Sequence, residues 1–185
     1  YLTHDFHSYP AKFIPQIPRA TIKALTKEGE VVLDPFGGCG TTIVEAKILN
    51  RRGIAVDLNP VGVLVSKTKT TKLTEDQISN ISSLPNKIKE DISNYYAGKK
   101  TKIDYVIPEF NNIDHWFKKD VIHELSIIKS YIETIKDESL KNYLYTAFSS
   151  IIVNVSNQES DTRFAAIEKK NLGPFISLNE LTSKL

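Results

Sequence analysis

The stretch Val31-Val32-Leu33-Asp34-Pro35-Phe36-Gly37-Gly38-Cys39-Gly40-Thr41-Thr42 decides the reading of this chain. An apolar strand ends in an acid, passes through a glycine-rich turn and enters a helix. This order builds a small-molecule site at the carboxyl edge of a parallel sheet. The turn has no Gly-Lys-Ser/Thr, which excludes a phosphate-cradling P-loop. Gly37, Gly38 and Gly40 lack the Gly-x-Gly-x-x-Gly spacing of nicotinamide and flavin sites. Asp34 is badly placed to face a pyrophosphate and well placed to meet a cationic ligand group.

Working outward, Glu30 to Leu33 reads as a buried strand from its β-branched content. Thr41 or Thr42 starts a helix containing Ile43, Val44, Ala46, Ile48 and Leu49. Gly53 closes the next turn, and Gly53 to Asp57 reads as a second strand, completing a β-α-β unit. Pro60 opens a further helix at its first turn, running to about Lys69. Upstream, Arg19 to Lys27 reads as a helix closed by Gly29 at its C′ position. Residues 4–18, rich in aromatics and prolines, predict a loop or an extended arm.

Beyond Leu73 the pattern changes. Thr74 with Gln77 forms a possible capping box. Ile78, Ile81, Leu84, Ile88 and Ile92 follow helical spacing, with a kink or break at Pro85. Residues 98–102 form a basic loop. Phe117, Val121, Leu125, Ile128, Ile132 and Ile135 make one helical stripe, and Leu140, Leu144, Ala147, Ile151 and Ile152 another. These stripes read as core. The expected organisation is an α/β part over residues 1–73, a helical region over 74–172, and a linker or the start of further chain over 173–185.

Composition narrows the class. The chain has 185 residues, enough for a real core with a helical appendage. A net charge of +2 is compatible with nucleic-acid binding without arguing for it. A single cysteine rules out an internal disulfide. No long apolar run predicts a membrane span, and no signal-peptide pattern opens the chain. Together these features predict a cytoplasmic protein. The chain has no methionine, and its opening Tyr1-Leu2-Thr3-His4 reads as part of something longer. No Cys/His cluster has metal-ligand spacing, so no metal site is expected. His115 and His123 read as structural, His4 as a packed or exposed arm residue, and Cys39 as a small turn residue rather than a nucleophile.

Three segments in a fixed order resemble the DNA amino-methyltransferases that modify adenine N6 or cytosine N4. His7-Ser8-Tyr9-Pro10-Ala11-Lys12-Phe13-Ile14-Pro15 is similar to the family's N-terminal cofactor motif. Asp34-Pro35-Phe36-Gly37-Gly38-Cys39-Gly40-Thr41-Thr42 is similar to its glycine-rich motif, with Cys39 where serine is common. Gly53-Ile54-Ala55-Val56-Asp57-Leu58-Asn59-Pro60 is similar to the segment whose acid holds a ribose. The resemblance spans roughly residues 4–66. It implies a partial Rossmann-like methyltransferase fold, α/β with parallel strands and flanking helices, followed by the mostly helical region. The implied cofactor is S-adenosyl-L-methionine.

The chemistry supports these residue types. Asp34 can accept from the ammonium of the methionine arm. Backbone N–H groups from Gly38 to Thr42, at the positive end of the following helix, can hold its carboxylate. Thr41 or Thr42 can add a hydroxyl. Asp57, with Leu58 and Asn59 beside it, can accept from ribose hydroxyls; the plain alternative is a solvated strand-end acid. Phe13 and Phe36 offer apolar walls, and Lys12 reads equally as a surface residue or as one that orders the turn. His7, Tyr9, Pro10 and Ala11 complete the candidate binding set.

The family's catalytic Asp/Asn/Ser-Pro-Pro-aromatic motif, which receives the amine of a flipped base, has no counterpart here. The chain contains no Pro-Pro pair, and Asn157 to Phe164, although polar, does not match. No catalytic residue is assigned, and these residues alone are expected to be inactive. The resemblance implies that the complete enzyme acts on double-stranded DNA, in restriction–modification or host defence alongside a restriction or defence partner. The alternatives are an RNA guanine-amine methyltransferase and an inactive cofactor-binding subunit that needs a partner chain. The helical region then reads as a lid or a target-recognition insert. Sequence leaves the oligomeric state open.

Overall fold

In a computed structural model describing residues 3–160, 163, 165–167, 169 and 173–185, the glycine-rich turn follows the first of two paired parallel strands. The chain divides into two units, Tyr1–Lys72 and Leu73–Leu185. In the first unit, β1 (Val31–Asp34) pairs in parallel with β2 (Arg52–Ala55), Val31 opposite Arg52 and Asp34 opposite Ala55. The crossover between them is α2 (Thr41–Ile48), with α1 (Gln16–Leu25) before the strands and α3 (Pro60–Thr70) after them. Ile22, Cys39, Ile43, Val44, Ala46 and Val65 form the buried apolar set among the described residues of this unit.

The two faces of the strand pair differ. Gly53 backs onto α2 so closely that a Cβ there would meet the Ile43 side chain at 2.8 Å. The opposite face carries Val31, Leu33, Ile54 and Val56, which are 49%, 62%, 50% and 55% exposed. The expectation of a buried first strand therefore fails on one side. Parallel strands are ordinarily covered on both faces. Here α2 covers one, and no described element of this unit covers the other.

Local chemistry explains the boundaries. The first helix begins at Gln16, three residues earlier than expected, because Pro15 and Pro18 sit at its cap and first turn. Backbone N–H groups there have no intrahelical partner to lose. Its cap is Thr26, so Gly29 is not the helix C′ residue. Gly29 instead makes a positive-φ turn whose N–H donates to the Asn50 carbonyl. The third helix opens as read, with Asn59 as N-cap accepting from the Val61 N–H and Pro60 in its first turn.

The second unit is helical: α4 (Glu75–Ile81), α5 (Leu84–Tyr96), α6 (Ile113–Trp116), α7 (Lys119–Glu133), α8 (Glu138–Val155) and α9 (Ile176–Thr182). The capping box of Thr74 and Gln77 is present. The expected break falls before Pro85, which sits in the first turn of α5. Ile88, Ile92, Ile127, Ile128, Ile132, Leu144 and Ile151 are fully buried. Each such side chain contributes roughly 1.5–3 kcal/mol of transfer free energy. An apolar cavity of about 270 Å³ lies among Val106, Phe110, Phe117, Leu125 and Phe148.

Two buried carboxylates organise the irregular segments of this unit. Asp91 accepts from the Lys102 and Ile103 N–H groups at 2.7 and 2.9 Å and from the Tyr131 hydroxyl at 2.9 Å. Glu124 accepts from the Tyr96 hydroxyl at 2.8 Å and from the Phe175 and Ser177 N–H groups at 2.6 and 2.8 Å. The second set ties down residues 173–185, the segment read from sequence as a linker or the start of further chain. That segment holds α9, with Leu178 and Leu181 buried in the helical core. Asn157 is structural, donating from its N–H to the Trp116 carbonyl at 2.7 Å. In the polar run noted above, Asp161, Thr162 and Phe164 lie outside the described residues. No described helix is long and apolar enough to cross a membrane.

Candidate functional site

The acid at the end of β1 opens the site. Asp34 Oδ1 accepts from the Phe36 N–H at 3.1 Å, which closes a tight turn over Pro35 and leaves the Phe36 ring 87% exposed. The Gly37 N–H then donates to the Val56 carbonyl at 2.9 Å, and the Gly40 N–H to the Gly37 carbonyl at 2.8 Å. Gly38 and Gly40 have φ of +49° and +81°, a region that side chains rarely adopt. Gly40 caps α2, whose first intrahelical bond runs from Val44 to the Gly40 carbonyl. The N–H groups of Thr41, Thr42 and Ile43 therefore lie at the positive end of this helix without helical partners.

Asp57 joins the turn to the second strand. Its Oδ2 accepts from the Gly38 N–H at 2.7 Å and its Oδ1 from the Asn59 N–H at 2.8 Å. Hydrogen bonds from Asn59 and then Gly38 hold its carboxyl below the usual aspartate range, against a smaller opposing effect of burial. Asn59 also donates from its side chain to the Tyr9 hydroxyl at 3.2 Å. Residues of all three motifs thus meet in one hydrogen-bonded set: Tyr9 from the arm, Gly38 from the turn, Asp57 and Asn59 after β2.

The turn is shaped from behind by α3. A Cβ on Gly62 would lie 2.9 Å from the Gly38 carbonyl oxygen and 3.0 Å from the Tyr9 hydroxyl. A Cβ on Gly40 would lie 2.4 Å from Ser66 Oγ and 2.9 Å from the Ser66 Cα. Gly62 and Ser66, four apart and so on one face of the helix, form a shallow bed for the turn. Sequence reading missed both, although small residues at that spacing after Pro60 were the available signal.

Other expected residues behave differently. Cys39 and Thr41 are buried beneath the turn, 2% and 5% exposed, and Thr42 is half-buried. Phe13 and Leu58 are largely exposed, and Pro10 is exposed beside Ala11, whose φ is +57°. His7 pairs through Nδ1 with the Ser8 carbonyl. Lys12 orders the arm rather than the turn, donating to the His4 carbonyl at 3.2 Å and to Asp5 at 3.1 Å. Lys69 is also buried; loss of solvation pulls its pKa down, with the neighbouring Cys39 thiol acting in the opposite direction. His123 takes its structural place, stacked on Tyr95 with ring centroids 4.5 Å apart and bonded to the Tyr105 hydroxyl at 3.0 Å.

The segment that carries this geometry is similar to known proteins. The N6/N4 family described as DNA methylase matches residues 2–68. The type II methyltransferase M.MvaI of Kocuria varians is 36% identical over 164 residues, covering 86% of this chain and 36% of its own length. The type II methyltransferase M.MjaII of Methanocaldococcus jannaschii is 31% identical over 110 residues, 58% of this chain and 21% of its own length. A tRNA (guanine(10)-N2)-dimethyltransferase of the same organism is 27% identical over 149 residues, 78% of this chain and 40% of its own length. The chain thus spans about a third or less of the two type II relatives. No solved structure matches it. The arm, the glycine-rich turn and the acid after β2 all lie inside the matched segment, and residues 2–68 belong to the N6/N4 DNA methylase family.

Proposed function

We propose that this chain is the methyl-donor-binding part of a DNA methyltransferase that modifies the exocyclic amine of adenine (N6) or cytosine (N4) in restriction–modification. The observation that carries this reading is the joining of Tyr9, Gly38, Asp57 and Asn59 into one hydrogen-bonded site within the family segment. The strand–helix–strand unit is then the start of a Rossmann-like sheet. The setting is the cytoplasm, with a restriction enzyme as the functional counterpart.

The residues present suit S-adenosyl-L-methionine. Asp34 spends Oδ1 on the turn, and its second oxygen suits an ammonium. The free amides at the start of α2 suit a carboxylate. Each Asp57 oxygen accepts one backbone N–H and keeps a lone pair for a ribose hydroxyl. Phe36, exposed at the rim, suits the face of an adenine. The bound cofactor would supply an electrophilic methyl group. The part played by this chain is to bind and orient: Asp34 and the α2 amides hold the two charges of an amino acid, and Asp57 fixes the rotation of a ribose. Positioning of this kind supplies much of the rate in group transfer between two bound reactants.

No residue here receives the target amine, since the chain contains no Pro-Pro pair. We assign that role to a Pro-Pro-aromatic segment outside residues 1–185. The helical unit is read as the target-recognition region rather than a lid. The family match stops at residue 68, while the alignment with M.MvaI covers 86% of the chain and so extends well into this unit.

Calorimetry of the chain with S-adenosylmethionine tests the reading. Micromolar binding that weakens at least about tenfold in Asp34→Ala is expected. Absence of binding, or binding indifferent to Asp34, would refute it. A second reading, transfer to a guanine amine in RNA, is favoured by the alignment with the tRNA dimethyltransferase over 149 residues. Methyl transfer from labelled donor to duplex DNA and to tRNA, with the complete enzyme, separates the two. Donor binding without transfer to either acceptor would instead identify a subunit that supports a partner chain.

A further inference from the structure

We propose that Glu45 is a positioning residue that clamps the base of the donor-binding arm, with His4 and Arg19 among its partners. This rests on the reading of the arm as part of a methyl-donor site. Glu45 lies on α2 and is fully buried. Its Oε1 accepts from His4 Nε2 at 2.9 Å, and its Oε2 from Arg19 Nη1 at 3.3 Å. His4 precedes the arm motif and Arg19 follows it, on α1. One carboxylate therefore gathers both ends of the segment that runs from residue 4 to residue 19.

The His4 end is also held through its backbone. Its carbonyl accepts from Lys69 Nζ at 3.2 Å and from Lys12 Nζ at 3.2 Å. Thr3 adds a bond from its hydroxyl to the Lys69 carbonyl at 3.1 Å. Between the clamped ends the middle of the arm reaches the site, where the Tyr9 hydroxyl receives Asn59 and lies over Gly62. Fixing both ends of a loop removes most of the freedom its middle would otherwise lose on binding. Glu45 thus acts on the donor site through the arm. Its own carboxylate is occupied by His4 and Arg19 and takes no part in holding the donor.

A buried carboxylate is expensive unless its partners are well placed. An acid among Ile43, Val44 and Ala46, where an apolar residue would pack without that cost, calls for a compensating role. The clamp supplies one. It also predicts which replacements work. A glutamine at 45 can still accept from one partner but turns an amide N–H₂ toward the other, donor against donor. A glutamine at position 4 keeps an N–H for Glu45, whereas leucine keeps only volume.

The test uses the whole 185-residue chain and two readouts. Tryptic cleavage after Lys12 reports the arm without any ligand, and calorimetry with S-adenosylmethionine reports the site. Glu45→Gln and His4→Leu are expected to speed cleavage after Lys12 and to weaken binding roughly tenfold. His4→Gln should stay within about threefold of the native chain in both. If Glu45→Gln does not fold, Arg19→Ala, which removes the more exposed partner, gives the same comparison. Faster cleavage with unchanged affinity would overturn the proposal, as would weaker binding that His4→Gln fails to restore. If the native chain does not bind the donor, the functional reading falls, while the proteolysis comparison still decides whether Glu45 clamps the arm.

Discussion

Asp57 Oδ2 accepts the Gly38 N–H at 2.7 Å, across 19 residues of sequence. This bond fixes the depth of the glycine-rich turn relative to the end of β2. Asp57→Asn keeps the volume but offers one acceptor oxygen instead of two, so either Gly38 or Asn59 loses its partner. Donor affinity is expected to fall at least about tenfold, as for loss of a charge-assisted bond. The pH dependence has a definite sign. Because the folded carboxyl titrates below its ordinary value of 3.8, the ordered turn persists above that value and is lost as pH falls through the depressed pKa. The Gly38 amide resonance, followed by NMR from pH 7 to pH 2, should shift only in the acid part of that range. A Gly38 shift centred above pH 5 would contradict the assignment.

Gly62→Ala separates packing from propensity. In an ordinary helix interior alanine is favoured over glycine by about 1 kcal/mol. At residue 62 the new Cβ would meet backbone, the Gly38 carbonyl oxygen at 2.9 Å, where little can give. Overpacking of this kind costs about 1–3 kcal/mol, so the net change should be destabilising. A thermal melt of the variant is expected below the native chain, together with weaker donor binding. A variant as stable as the native chain or more so would show that the turn is free to move away from α3.

Asp91 controls acid stability in the helical unit. Burial would raise its pKa, but bonds from Lys102, Ile103, Tyr131 and Asn94 outweigh it and hold the carboxyl below its ordinary 3.8. The resulting stabilisation is complete above the unfolded-state value and is lost as pH falls through the lower folded value. Asp91→Asn should remove about 1–3 kcal/mol at pH 7 and much less at pH 2. Trp116, the single tryptophan, lies in this unit and reports urea unfolding there. An equal loss at both pH values would show that the carboxylate's charge is not what matters.

Much of this architecture was legible because its signals are local. Apolar β-branched residues ending at Asp34, the glycines, Pro60 and the Thr74–Gln77 box each act within a turn or two of chain. The start of α1 was misread because two prolines look like breakers until they are placed in a first turn. The exposure of Leu33 and Ile54 was illegible, since a strand's own sequence does not say whether both of its faces are covered. Glu45 and His4, 41 residues apart, carry no short-range signature. The α9 helix reads as tail because what holds it, the Glu124 carboxylate, lies 51 residues upstream of Phe175.

The bed made by Gly62 and Ser66 changes what counts as the transferable unit of this site. A designer who grafts Asp34 to Thr42 onto another α/β protein moves only the front half of a mould. The glycines bend as they do because a helix with two small residues lies against their backs, and because Asp57 ties them down from the side. The portable module is the pair of segments 34–42 and 57–66, moved together.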